Sequence, residues 1–180
     1  MQKSIFFPLV CSFILSFTSF AQAQSGKPFR VGFQTQELKG DFGLGLSLDI
    51  PVVKWIGVRI VGNHHWLDLP GETDNRTAHF QTLRVGLAPD GWQVAEKIRV
   101  YGEGGVLFIF PENALSPDNV VAGGYGVFGF EFFTERMFGS SIFIEAGGSS
   151  AGIRADRQPG APAFGAGMLL GAGFRVALSQ

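Results

Sequence analysis

Three histidines, His64, His65 and His79, and two adjacent serines, Ser149 and Ser150, are the residues from which this chain could assemble a base and a nucleophile. Acyl transfer or hydrolysis also requires the base to reach the nucleophile and a third group to orient the base. His64 and His65 are consecutive, so in an extended segment their rings point to opposite faces and cannot work as a pair. No acid falls at a matching position, because Glu145 lies roughly two strand steps from Ser149. His65 and His79 without a third ligand at fixed spacing do not make a zinc site. The runs "GEGG" and "GGYG" precede no Lys-Ser/Thr and so do not form a phosphate cradle. No catalytic set, metal site or cofactor site is expected.

A more informative chemistry sits in "FGFEFF", residues 128 to 133. Glu131 is placed among four phenylalanines. A carboxylate is costly to bury unless it is paired. Eight further charges sit in comparable apolar surroundings: Arg30, Asp49, Arg59, Arg84, Arg99, Glu103, Glu145 and Arg175. Five of the nine are basic and four acidic, which is the material for an ion-pair network.

The segments that carry these charges alternate with a period of two, the pattern of strands with unlike faces. In "FGLGLSLDIPV", residues 42–52, Phe42, Leu44, Leu46, Leu48, Ile50 and Val52 share one face. Gly43, Gly45, Ser47 and Asp49 take the other. In the same way Phe29, Val31 and Phe33 oppose Arg30, Gly32, Gln34 and Gln36. Phe128, Phe130 and Phe132 oppose Tyr125, Gly129 and Glu131. Repeated along the chain, the alternation predicts eight strands, at 29–37, 42–52, 55–67, 78–88, 97–110, 120–134, 140–154 and 163–178. It is weakest near Leu107 and Ile109 and beyond Glu145. Turn-rich stretches separate the strands, among them "LKGD", "LPGETDNRT", "PDGWQVAE" and "ADRQPGAP". No sustained helical stripe interrupts them. The fold class expected is all-β, an eight-stranded antiparallel up-and-down barrel.

The first residues read differently. Lys3 precedes an apolar run from Ile5 to Phe20, and Ala21-Gln22-Ala23 has the small-x-small pattern of a signal-peptidase site. Residues 1–23 are expected to be a cleaved export signal and residues 24–180 a single domain. The one cysteine, Cys11, lies in the signal, so no disulfide is expected in the mature chain. With 14 Lys and Arg against 15 Asp and Glu, the composition excludes an electrostatic case for nucleic acid.

Alternation alone does not say which face of a barrel looks inward. A soluble lipocalin-like barrel turns its apolar face in, and a membrane barrel turns it out. Here the polar face is mainly Gly, Ser and Thr with a few charges, and Lys27, Lys39, Lys54 and Lys97 fall in turns or at strand ends. Phe29, Trp66, Phe108, Phe110 and Phe132 lie near strand ends on the apolar face, as interfacial girdles would. The strands reach the ~9–11 residues of a tilted spanning strand. If the first strand rises from the periplasm, all nine charges fall in the periplasmic half. An Arg facing lipid near the midplane costs about 2–4 kcal/mol, so nine such charges belong inside, paired and closing the lumen. Glu131 then points inward, with Arg99 a candidate partner, and Gly43, Gly45 and Gly129 leave room for arginine side chains.

With signal, length, strand count, alternation and interior charges on the page, the chain resembles the small eight-stranded outer-membrane β-barrels of Gram-negative bacteria, the OmpA/OmpX-like group. "GFEFFTERMFGSSIFIEAGG" and "GAGFRVALSQ" also look like outer-membrane β-barrel domains. The resemblance implies localisation in the cell outer membrane, contact with its lipid and lipopolysaccharide, and insertion by the barrel assembly machinery. Such barrels usually end on an aromatic residue, whereas this chain ends Leu178-Ser179-Gln180, with Phe174, Val176 and Leu178 keeping the outward alternation. Loops 68–77, 111–119 and 155–163 would face outside and offer a surface to an extracellular partner. A structural or surface-contact role is the leading expectation. The rivals are a small pore or transporter for hydrophobic molecules, a lipid A acyltransferase or deacylase, and a soluble ligand-binding barrel.

Overall fold

The computed structural model describes residues 27–69, 76–134, 139–158 and 160–178. The expected export signal, with Cys11, lies outside the described residues, as do residues 70–75 of the expected loop 68–77. The described chain is all-β. Its strands are β1 (Arg30–Leu38), β2 (Asp41–Val53), β3 (Ile56–Leu69), β4 (Arg76–Pro89), β5 (Trp92–Ala95), β6 (Ile98–Pro111), β7 (Val121–Phe133), β8 (Ser141–Ser149), β9 (Ile153–Arg154), β10 (Ala163–Phe164) and β11 (Gly167–Ala177).

Eight of these strands close a barrel. Each pairs antiparallel with its neighbour in the order β4-β3-β2-β1-β11-β8-β7-β6, and β4 then pairs with β6. The last strand returns to the first in register, Arg30 opposite Ala177 and Leu38 opposite Leu169. Closure leaves the eight wall strands no exposed edge, which is how an antiparallel sheet avoids edge-to-edge association. Two-residue turns join β1 to β2 and β2 to β3. At the first of them Lys39 and Gly40 both have positive φ, 56° and 97°, the geometry of a type I′ hairpin turn that follows the twist of its strands.

Three local differences from the sequence-based expectation stand out. The segment "PDGWQVAE", expected as a turn, contains β5, which pairs with β6 through Trp92–Val100 and Gln93–Arg99. Its Trp92 and Val94 are both exposed. The seventh wall strand stops at Ser149 rather than 154. The eighth begins at Gly167 rather than 163, and the chain between them folds into the small hairpin β9–β10. Leu107 and Ile109, where the alternation is weakest, point inward and are fully buried.

The two barrel mouths differ. The lower mouth is ringed by residues 27–29, the 54–55 turn, β5 and residues 139–140. The upper mouth carries the β1–β2 turn and the segments 112–120 and 150–166. Along β1 the inward positions read Arg30, Gly32, Gln34, Gln36, Leu38, from lower to upper mouth. Going up, the lumen therefore passes from charged to polar to apolar. The apolar layer joins Leu38, Leu67, Phe80, Leu107, Ile109 and Leu169 to Leu115, Ala151, Ile153, Ala155 and Phe164 from the segments above. Leu115 and Ala155 fall in loops 111–119 and 155–163, expected as outward contact surface, whereas Ala151, Ile153 and Phe164 fall in the expected wall strands 140–154 and 163–178. In the structure all five are drawn into the mouth, because the upper lumen is lined by side chains that can be buried only if something covers them.

Candidate functional site

All nine charges that the sequence singled out point into the lower half of the lumen, and the structure links them. Arg30 Nη2 lies 2.9 Å from Asp49 Oδ2, and its Nη1 donates to Glu131 Oε1 at 2.6 Å. Arg59 Nε donates to Asp49 Oδ1 at 2.5 Å and its Nη1 to Glu103 Oε2 at 2.6 Å. Arg84 Nη2 donates to Glu145 Oε1 at 2.8 Å. Arg99 donates to Glu131 Oε2 through Nε at 3.1 Å and also through Nη2. Arg175 sits between Glu131 at 3.6 Å, Glu145 at 3.7 Å and Asp49 at 3.9 Å. Charge-assisted bonds of this kind are the strong ones, and the planar guanidinium suits them because it can donate in several directions at once.

Strand order explains these pairings. Arg30 and Arg99 are 101 and 32 residues from Glu131 in the chain. Arg99 is directly opposite Glu131 on the neighbouring strand β6. Arg30 and Arg175 lie on β1 and β11, the pair that completes the closure. Glu131 thus has Arg99 as the cross-strand partner, and Arg30 and Arg175 as partners across the lumen. Ser141 Oγ adds a further bond at 2.5 Å.

Two tyrosines and a phenylalanine complete the network. Tyr101 donates to Glu145 Oε2 at 2.9 Å and accepts from Arg175 Nη2 at 3.1 Å. Tyr125 donates to Glu103 Oε1 at 2.5 Å. The Arg175 guanidinium lies 3.6 Å from the Phe143 ring centroid and 5.1 Å from that of Tyr101. It is held between two aromatic faces, which attract a desolvated cation. Tyr101 and Tyr125 share the inward parity of the charges, and that parity is the signal that marks them in the sequence. Phe143 also points inward, and its hydrophobic type hides it there.

Gly32 leaves room for an arginine, since a Cβ there would lie 3.0 Å from Arg175 Cγ, but Gly43, Gly45 and Gly129 serve a different purpose from the one expected. A Cβ on Gly43 would lie 2.6 Å from His65 Nδ1, and one on Gly129 would lie 2.7 Å from Tyr101 Cζ. Gly45 admits Asn63 in the same way, and Gly86 admits the Tyr125 hydroxyl. The room is taken by rings and an amide rather than by the arginines, because strand pairing sets His65 opposite Gly43 and Tyr101 opposite Gly129.

Above the charges lies a layer of neutral polar groups. Gln34 Nε2 donates to Asn63 Oδ1 at 3.0 Å, and Asn63 Nδ2 donates to Gln36 Oε1 at 3.2 Å and Thr82 Oγ1 at 3.4 Å. His65 is buried here, stacked on Phe80 with centroids 4.8 Å apart, and its Nε2 is 3.3 Å from Thr82 Oγ1. Ser149 donates to the Gly165 carbonyl at 2.5 Å, and Ser150 to the Gly124 carbonyl at 3.2 Å. The histidine and the serines therefore have separate partners. His64 and His79 lie on the outer surface, stacked 5.2 Å apart, with Trp66 edge-on to His64. Among the described residues no group of three or more His, Cys, Asp or Glu is arranged to hold a metal.

The outer face is the inverse of the lumen. Leu46, Leu87, Phe128, Phe130, Ile142, Ile144, Met168 and Phe174 are all exposed on it. Two members of the expected aromatic belt behave differently: Phe110 is exposed, and Phe29 is buried at the lower mouth, its carbonyl accepting from Leu178 N–H at 2.8 Å.

No protein-family model and no curated protein matches the chain. Solved structures do. The outer membrane protein OprG from Pseudomonas aeruginosa aligns at a TM-score of 0.50 with 16% identity, covering 87% of this chain and 98% of that one. The N-terminal β-barrel domain of Pseudomonas aeruginosa OprF aligns at 0.53 with 12% identity, covering 83% of this chain and 97% of that one. At such identities the likeness concerns fold, and the fold agrees with the closed strand order and the apolar outer face. The chain folds as a small eight-stranded β-barrel of the outer-membrane type.

Proposed function

We propose that the protein is an integral outer-membrane barrel whose interior is closed to ions and whose role is structural or surface contact. The observation that carries this reading is the inverted distribution of side chains. Large apolar residues cover the outside, while five arginines and four carboxylates meet inside. In water such an outer face would be an aggregation surface. Against acyl chains it is matched, and the inward charges avoid lipid altogether.

Closure rests on three layers in series. An eight-stranded barrel is about wide enough for its own side chains. Here the charge network, the Gln34–Asn63–His65 layer and the apolar cap under Leu115, Ile153 and Phe164 occupy it in turn. The cap is tied together from above, since Arg157 N–H donates to the Leu115 carbonyl at 3.1 Å and Gln158 Nε2 to the Ala114 carbonyl at 2.8 Å. The outer surfaces of segments 112–120 and 150–166 would meet an extracellular partner. The belt would meet lipid and lipopolysaccharide. The outward alternation Phe174, Val176, Leu178 would be presented to the barrel assembly machinery. A non-catalytic role is supported by the separate hydrogen-bond partners of His65, Ser149 and Ser150.

The test is biochemical. The protein should remain with membranes after carbonate washing, migrate faster unboiled than boiled on a gel, and begin at Gln24 after export. In planar bilayers it should give no steady conductance. Recovery in the soluble fraction would overturn the membrane assignment, and stable single-channel currents would overturn the closed lumen.

A further inference from the structure

The lower mouth is not filled. A half-open cavity of about 250 Å³ lies there, and its lining includes Arg30, Asp49, Arg59, Arg99, Ala88 and Phe133. We propose that this cavity is a binding site for a small carboxylate ligand with an apolar body.

Charge is the first argument. Among the described residues the network sets five guanidiniums, those of Arg30, Arg59, Arg84, Arg99 and Arg175, against four carboxylates, those of Asp49, Glu103, Glu131 and Glu145. That composition favours an anion over a cation at the end of the network that meets the cavity.

Position is the second argument. Glu131, which engages both Arg30 and Arg99, is completely buried, while those arginine side chains are 16% and 21% exposed. The carboxylate draws on their inner edges, and the edges left accessible belong to the guanidiniums. Asp49 does face the cavity, but Arg30 and Arg59 occupy its oxygens. Asp90 reaches Arg99 only at 3.7 Å, longer than a hydrogen bond. An incoming carboxylate therefore finds donors on Arg99 and Arg30 that the protein's own acids leave partly free, in the geometry that favours bidentate recognition.

The walls give the third argument. Pro28, Pro51, Val53, Ala88 and Phe133 make most of the lining apolar. Phe133 also stacks against Arg99 at 5.4 Å, so an apolar ring could lie beside it with its carboxylate on the guanidinium. The volume is below the ~300–1,000 Å³ of drug-sized pockets, which limits the ligand to a small one.

Benzoate is the probe, with benzamide as its neutral counterpart and inorganic phosphate as an oxyanion without an apolar body. Each is titrated against the full-length protein in detergent at constant ionic strength, and the shift of the thermal unfolding midpoint is converted to a Kd by mass action. Benzoate should raise the midpoint saturably, whereas benzamide should leave it unchanged and phosphate should bind at least tenfold more weakly. Arg99→Gln should weaken benzoate at least tenfold. Ala88→Phe, which fills the cavity and keeps every charge, should abolish the shift while the unboiled protein still migrates as a barrel. If Ala88→Phe does not fold, Arg99→Gln alone carries the comparison. Equal responses to benzoate and benzamide, phosphate as effective as benzoate, or a wild-type response from Arg99→Gln or from folded Ala88→Phe would each overturn the proposal.

Discussion

Replacing Glu131 by alanine tests the interior network most directly. Glu131 accepts from Arg30 at 2.6 Å, from Arg99 through two nitrogens and from Ser141 at 2.5 Å, and it lies 3.6 Å from Arg175. After truncation Arg30 retains Asp49 at 2.9 Å, and Arg99 retains the exposed Asp90 at 3.7 Å. Arg175, fully buried, retains the carboxylates of Glu145 at 3.7 Å and Asp49 at 3.9 Å and its hydrogen bond to the Tyr101 hydroxyl at 3.1 Å. Removing one partner of a buried ion pair costs about 3–5 kcal/mol, chiefly through the charge left behind. Three arginines lose a partner here. Two of them reach the mouth and can draw on water, so the single-pair range is the expectation rather than three times it. The assay is urea-dependent unfolding from lipid vesicles, followed by tryptophan fluorescence and by the fraction migrating as folded barrel. Adding Arg99→Ala to Glu131→Ala removes one uncompensated cation, so the double variant should lose less than the sum of the single losses, by about 0.5–3 kcal/mol. A Glu131→Ala loss below about 1 kcal/mol, or strict additivity with Arg99→Ala, would refute the reasoning that these side chains form one buried, mutually dependent set.

Other substitutions probe the remaining layers. Leu46→Arg places a cation on the outer face, at a position 68% exposed in the middle of β2. It should cost about 2–4 kcal/mol in a bilayer, and equal stability of variant and wild type in vesicles would place that face in water. Phe164→Ala empties a buried position whose ring centroid lies 5.0 Å from that of Phe80. It should cost about 3–5 kcal/mol and make a cysteine introduced at Leu107 reactive toward a water-soluble maleimide; an unreactive cysteine would show that the cap does not exclude water. Gly129→Val should prevent Tyr101 from lying across β7 and lower the unfolding midpoint, whereas an unchanged midpoint would mean the ring has another place to go.

How much of this was legible beforehand varies with the range of the interaction. Alternation is local, so the eight wall strands and the inward parity of Arg30, Asp49, Arg59, Arg84, Arg99, Glu103, Glu131, Glu145 and Arg175 could be read residue by residue. The strand β5 was missed because four residues between turn signals carry too little pattern to separate from a turn. The inward Leu107, Ile109 and Phe143 were obscured for a related reason: where both faces of a strand are apolar, alternation in hydrophobicity vanishes although alternation in direction persists.

What the sequence determined by itself is therefore the period-two pattern, the two unlike faces and the set of charges sharing one of them. Tertiary structure decided which of those charges meet. Glu131 bonds to Arg30 and lies beside Arg175 because β11 returns to β1 and the wall closes across a narrow lumen. Register between neighbouring strands set His65 into the space over Gly43 and Tyr101 over Gly129. Leu115 from a stretch that read as a loop, and Ile153 and Phe164 from stretches that read as wall strands, were drawn into the upper mouth. These choices depend on strand register and lumen width, which arise only when strands pair and the wall closes, so the alternation within one strand does not encode them.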